Sequence, residues 1–360
     1  MAKVQRNSHI ELLRIAAMLM IVAHHYAAFG FYAEDLAFSR NKIFVDLFGM
    51  CSRVGVDLFV LITGYYTVTA RFRLKKILTL MGTVWFYTLG MLLVFLLAGL
   101  TAPDRAILIS SFFPLLTSHY WFASYYVLLL LLAPFLNEMV THLSRRQHLL
   151  LCALMVTLCM LMPQFLRIVF AGGMLPLMVT LYLCGAFIRL HVPAEERIGR
   201  RCLVLALALL LLISLWVGVS DSLAQRADDY ARLERSTELM DQVYSPFAFA
   251  VAALLLPAAV CRRETASNLW VNLVGGLTFG VYLFHTGQLL SAVMWQRVFH
   301  TSAFVDSPWL PLHAVGTVAV IFVVGCLIER LRQVSVGRLW ERFVDALLRR
   351  LKMNDWIKGA

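Results

Sequence analysis

The sequence predicts an all-α polytopic integral membrane protein with about ten transmembrane helices and N- and C-termini in the cytoplasm. Three observations carry that reading. Of the 360 residues, 61% are hydrophobic and only 15% are charged, whereas a soluble domain runs roughly 45–50% apolar and about 25% charged. Apolar runs near the roughly 20 residues that a membrane helix needs recur along the whole chain. Finally, Lys and Arg sort by side. The net charge of +11 would suggest nucleic acid in a soluble chain, but in a membrane protein it is the distribution of positive charge that counts, so no nucleic-acid partner is expected.

Taken in order, the expected spans are Ile10–Phe29, Phe44–Val68, Leu74–Leu100, Tyr120–Val140, His148–Leu166, Ile168–Leu190, Cys202–Val219, Val243–Val260, Trp270–Trp295 and Trp309–Leu331. The fifth and sixth are divided only by a short connection at Pro163 and Gln164. Ala106–Thr117 is too short to cross and reads as a re-entrant or interfacial segment. The first span carries an Arg and two His and has no small-residue cleavage site, so it should stay in the mature protein. With the N-terminus inside, 22 of the 32 Lys and Arg fall in inner segments, 8 in outer ones, and Arg14 and Arg53 within spans. That asymmetry sets the orientation.

Between the seventh and eighth spans lies an acidic outer loop with Asp221, Asp228, Asp229, Glu234, Glu238 and Asp241. Its stretch from Asp221 to Gln242 has no Gly or Pro and suits a surface helix, the alternative being a solvated charged loop. Residues 1–335 form the membrane domain. Residues 336–360 form a cytoplasmic segment in which Val336–Lys352 suits an amphipathic helix on the anionic inner leaflet. The seven Cys lie mostly in apolar runs without zinc-ligand spacing; they read as small buried hydrophobes, and no metal is expected.

Ionisable groups inside spans are site candidates, because each costs a few kcal/mol at mid-bilayer unless it meets a partner or water. Arg14 and His25 are eleven residues apart, about 20° from eclipsed and about 16 Å along a helix axis. They share one face; His24 is rotated about 80° from Arg14. Arg53 and Asp57 form an i,i+4 pair that can neutralise each other. Tyr282 and His285 stand at i,i+3 in the ninth span, and His25 and His285 lie equally far from the cytoplasmic starts of their spans, which suggests one cavity. His119 and Trp121 mark the outer entry to the fourth span, either as an interfacial aromatic belt or as an acceptor-site rim.

These residues also fall in an ordered set of motifs. Arg14 and His25 in ELLRIAAMLMIVAHHY give an Arg-x10-His spacing. RVGVDLFVLITGYY (Arg53 to Tyr66), HYWFASYYVLLLLLAPFLN (His119 to Asn137) and LTFGVYLFHT (Leu277 to Thr286) follow. Together they resemble acyltransferase family three, the polytopic membrane acyltransferases that modify sugars of O-antigens, exopolysaccharides and peptidoglycan. Val60 stands where a second Phe is common, and Thr63 replaces the usual Ser. The resemblance implies transfer of an acyl group, most simply acetyl, from cytoplasmic acyl-CoA to a hydroxyl of a glycan or lipid-linked sugar at the outer face of the cytoplasmic membrane.

On that reading Arg14 meets the phosphates of CoA and His25 serves as general base or acyl relay, their separation being close to the length of an extended pantetheine arm. His285, Tyr282 or a polar group near Thr63 would hold the oxyanion, and Asp57, Arg53, Thr63, His119, Trp121 and Tyr282 would bind substrate. A fused esterase-like extracellular domain, found in some relatives, would here be a separate partner. The competing reading is a transporter or exporter of polysaccharide or acyl groups. Its expected sign is paired interrupted helices, and Gly172-Gly173 with Pro176 is the one strong interruption in the sequence. A non-catalytic scaffold is a third reading.

Overall fold

The structure is a computed structural model that describes residues 7–102, 104–169, 173–262 and 267–351. Lys3, Arg6, Gly172, Arg263 and Lys352 lie outside the described residues. The described chain is helical and has no strand, and several of its helices are long and apolar enough to cross a bilayer. The order is α1 (Ser8–Phe29), α2 (Ala33–Ala37), α3 (Lys42–Gly49), α4 (Ser52–Thr67), α5 (Leu74–Leu97), α6 (Arg105–Phe112), α7 (Trp121–Thr141), α8 (Arg145–Val156), α9 (Met174–His191) and α10 (Glu196–Arg226). After these come α11 (Tyr230–Arg235), α12 (Glu238–Asp241), α13 (Pro246–Val260), α14 (Leu269–Gly275), α15 (Thr278–His285), α16 (Gln288–Val293), α17 (Leu310–Val334) and α18 (Val336–Arg350).

Each of the ten apolar segments contains helix, but among the described residues length and composition qualify seven as spans, or eight if the bent pair Leu269–His285 and Gln288–Phe304 counts as one. The expected second span is split at Met50–Cys51 into α3 and α4, and the eighth shortens to the 15-residue α13. The fifth span ends at Leu166 as expected, but Pro163 and Gln164 lie inside it and not in the connection: α8 continues as a wider π-helical stretch, Thr157–Leu166, that absorbs this proline, which has no N–H to give. The next helix therefore starts at Met174, not Ile168. The acidic loop is not one surface helix. α10 runs on to Arg226, and the short α11 and α12 follow, with Leu233 and Met240 buried. The 106–117 stretch forms α6, tied to α5 by the Trp85 indole N–H donating to the Phe112 carbonyl at 3.0 Å.

Close backbone crossings build the core. A Cβ on Gly64 would collide with the Tyr182 carbonyl, and one on Gly185 with the Leu61 carbonyl, so α4 and α9 meet backbone to backbone. Gly55 opposes the Ala17 carbonyl in the same way and brings α4 against α1. Small residues permit this approach where no hydrophobic drive acts between helices in lipid. Asn7 caps α1 by accepting from the His9 N–H at 3.0 Å. Ser8 Oγ donates to Asn272 Oδ1 at 2.8 Å, while Gln333 reaches the neighbouring Gly276 carbonyl at 3.5 Å. The start of α1 and the end of α17 are therefore at the same end of the helix bundle.

α18 packs along α5. The Trp340 indole N–H donates to the Leu78 carbonyl at 3.0 Å, and Lys75 pairs with Asp345 at 2.8 Å. Val344 and Leu348 are buried, whereas Leu339 and Phe343 remain exposed.

Candidate active site

α1, α4, α7 and the α14–α16 segment, with α6 closing one side, enclose a cavity of about 1390 Å³. Arg14, His25, Arg53, Thr63, His119, Trp121 and Tyr282 all line it. Asp57 and His285 do not: both are buried behind the wall. Residues eleven apart on α1 are separated by about 16 Å, so the cavity follows α1 through much of its length.

His25 and His285 meet across α1 and α15. His25 Nδ1 is 2.8 Å from His285 Nε2, and His285 Nδ1 is 2.6 Å from the Val281 carbonyl one turn back in α15. Proton positions follow from these partners. A carbonyl only accepts, so His285 carries its proton on Nδ1 and its bare Nε2 accepts from His25 Nδ1–H. In the neutral pair this leaves His25 Nε2 unprotonated, the nitrogen not engaged by His285. Phe29, stacked at 5.3 Å between ring centroids, restricts rotation of the ring.

Arg14 lies 3.6 Å from Glu11 and keeps 29% of its side chain exposed. Arg53 and Asp57 sit on successive turns of α4, but among the described residues they make no ion pair within 4 Å. The Arg53 guanidinium instead lies 5.8 Å from the centre of the Trp121 ring. The two still act on each other electrostatically, and the cation–π contact keeps Arg53 at the cavity wall. Thr63 Oγ1 donates to the Phe59 carbonyl at 2.7 Å and lies 3.0 Å from the Tyr126 hydroxyl. Burial lowers the pKa of His119, and its Nδ1 has no hydrogen-bond partner.

The sequence reading passed over several wall residues. His24 lines the cavity as well, although its rotation on α1 had counted against it. Its Nδ1–H is 3.1 Å from the Gly49 carbonyl, and Asp241 of α12 lies 3.8 Å away. Burial raises Asp241 to about 7. Tyr126, Gln288, Ser291 and Gln296 also line the cavity. The last three sit on the far side of a 67° bend after α15. No periodicity marks such a break; the Thr286-Gly287 step was its one local signal. Among the described residues no group of three or more His, Cys, Asp or Glu is arranged to hold a metal ion.

A family model described as an acyltransferase domain matches residues 7–329, which covers both α1 and α15. No curated protein and no solved structure matches the chain.

Proposed function

This chain belongs to acyltransferase family three, and from that premise we propose that it moves an acetyl group from cytoplasmic acetyl-CoA to a hydroxyl of a glycan or lipid-linked sugar at the outer face of the cytoplasmic membrane. The observation that carries the reading is that one cavity is lined by both Arg14 and His25, about 16 Å apart along α1. Arg14 binds the phosphates of the donor, for which a guanidinium is well shaped. His25 Nε2 takes the proton of the acceptor hydroxyl as the oxygen attacks the thioester carbonyl. The imidazolium that forms is stabilised through its Nδ1–H by His285. The tetrahedral intermediate collapses by breaking the C–S bond, and the proton on His25 Nε2 passes to the departing thiolate.

The oxyanion needs donors already in place. His285 and Thr63 have their protons committed to His285's own helix carbonyl and to the Phe59 carbonyl. We therefore assign the oxyanion to Tyr282 and the Arg53 guanidinium. Trp121, His119 and the amide and hydroxyl groups beyond the bend bind the acceptor. Asp57 supports Arg53 from behind the wall.

The 67° break gives the transport reading an observation of its own, since interrupted helices line transport sites. Membranes carrying the protein, supplied with radiolabelled acetyl-CoA, separate the two. Wild type should label an envelope glycan, and His25→Ala and Arg14→Ala should each abolish labelling. Undiminished labelling in both variants sinks the mechanism; export of unlabelled glycan that fails in the variants favours transport.

A further inference from the structure

We infer that Tyr126 and Thr63 form a hydrogen-bond acceptor that recognises an amide N–H of the donor's pantetheine arm. The inference rests on the donor being a CoA thioester, as proposed above. It begins from a count of protons. Thr63 has one hydroxyl proton, and it goes to the Phe59 carbonyl at 2.7 Å. In the 3.0 Å contact with Tyr126 the phenol must then be the donor. The nearby Tyr182 has given its own proton to Asn137 Oδ1 at 2.6 Å. Neither Tyr126 nor Thr63 keeps a proton for the cavity, and both present lone pairs to it. The wall beside them is aromatic: Phe122 stacks on Tyr126, and Phe59 meets Phe122. An acceptor in such a wall favours a ligand that brings an N–H or O–H.

Position along the cavity selects the ligand. Phe122 stacks on Tyr126 at 5.5 Å and meets Tyr282 at 5.7 Å, and Tyr282 lies 6.5 Å from His285. Thr63, Tyr126 and Arg14 line the same cavity, so the acceptor pair is reached from the reacting end through one aromatic ring and shares its chamber with the guanidinium. There a CoA thioester threads its thin arm, which carries two amide N–H donors besides the hydroxyl nearer the phosphates.

The test is equilibrium binding to the full-length protein in lipid nanodiscs, with acetyl-CoA, with 3′,5′-ADP as a probe that lacks the arm, and with acetyl-CoA analogues N-methylated at each pantetheine amide in turn. Tyr126→Phe should weaken acetyl-CoA roughly three- to tenfold, the scale of one neutral hydrogen bond, and leave 3′,5′-ADP unchanged. One methylated analogue should bind wild type about as weakly as acetyl-CoA binds the variant. Full affinity of both methylated analogues for wild type overturns the inference, and this arm needs no variant to fold. Equal acetyl-CoA affinity in wild type and Tyr126→Phe overturns it as well. If wild type binds neither acetyl-CoA nor 3′,5′-ADP, the donor assignment itself falls.

Discussion

The cavity has two kinds of wall. One is made by α1, α4, α7 and α15, regular helices of which α4 is set against α1 and α9 by glycine crossings, and whose polar side chains have their protons assigned: Val281 to His285 to His25, and Phe59 to Thr63 to Tyr126. The other is made by α6, the turn before α7 and the bent segment around α16, short pieces that bring His119, Gln288 and Ser291 to the cavity. The first wall has the rigidity that proton transfer demands. The second carries amide and hydroxyl groups on segments that tolerate change, which suits the acceptor recognition proposed above. If this division is right, substitutions in the first wall act on the chemical step and substitutions in the second act on one substrate's affinity.

The largest expected effect is at His285, which does not touch the cavity. His285→Ala removes the acceptor that holds the proton on His25 Nδ1 and stabilises the imidazolium. A hydrogen bond to a charged group contributes about 1.5–3 kcal/mol, so kcat should fall roughly 10- to 100-fold while KM for acetyl-CoA stays near its wild-type value. Measuring kcat and KM separately checks this. A variant that raises only KM would move His285 out of the reaction and break the contrast between the walls.

The first wall was largely legible in the sequence, and for a physical reason. A helix has a fixed rise and rotation, so the spacing of Arg14 and His25 already places them on one line, and counting from the span starts puts His25 and His285 at one depth. The structure places these two 2.8 Å apart. The spacing of Arg53 and Asp57 gave a shared face, and the two do act on each other, but helical geometry says nothing of partners from other helices; the Trp121 ring beside the guanidinium was not legible. The second wall was mostly illegible. Gln288, Ser291 and Gln296 reach the cavity through a bend, and Asp241 reaches His24 through a loop whose path depends on burying Leu233 and Met240. Neither event has a period to read.

Trp121 gives a smaller effect of mixed type. It lies where the two walls meet, with Arg53 over its ring. Losing an aromatic contact of this kind costs about 0.5–1.5 kcal/mol, so Trp121→Ala should raise KM for the acceptor roughly three- to tenfold, lower kcat because Arg53 loses the ring that holds it, and leave KM for acetyl-CoA unchanged. Steady-state rates with each substrate varied in turn separate the two parts. A fall in donor affinity instead would mean that the recognition wall is not confined to the acceptor.

The smallest effect is at Asp241, and it shows in stability rather than rate. Burial holds this carboxyl at about 7, well above the value of about 3.9 expected in an unfolded chain. The folded state therefore binds more protons than the unfolded state between about pH 4 and pH 7, and stability contributed by the neutral form is lost as pH rises through that window. Arg53 and Lys42 favour the charged form and Asp46 opposes it, but none outweighs burial. Asp241→Asn keeps the shape and removes the titration, so the variant should gain on wild type as pH rises from 4 to 8, read as a rise in its Tm relative to wild type. Amide exchange in residues 237–245 should show the same change locally, with wild type opening more readily at the higher pH. Parallel stability profiles for the two proteins would mean that α12 is held independently of its carboxylate.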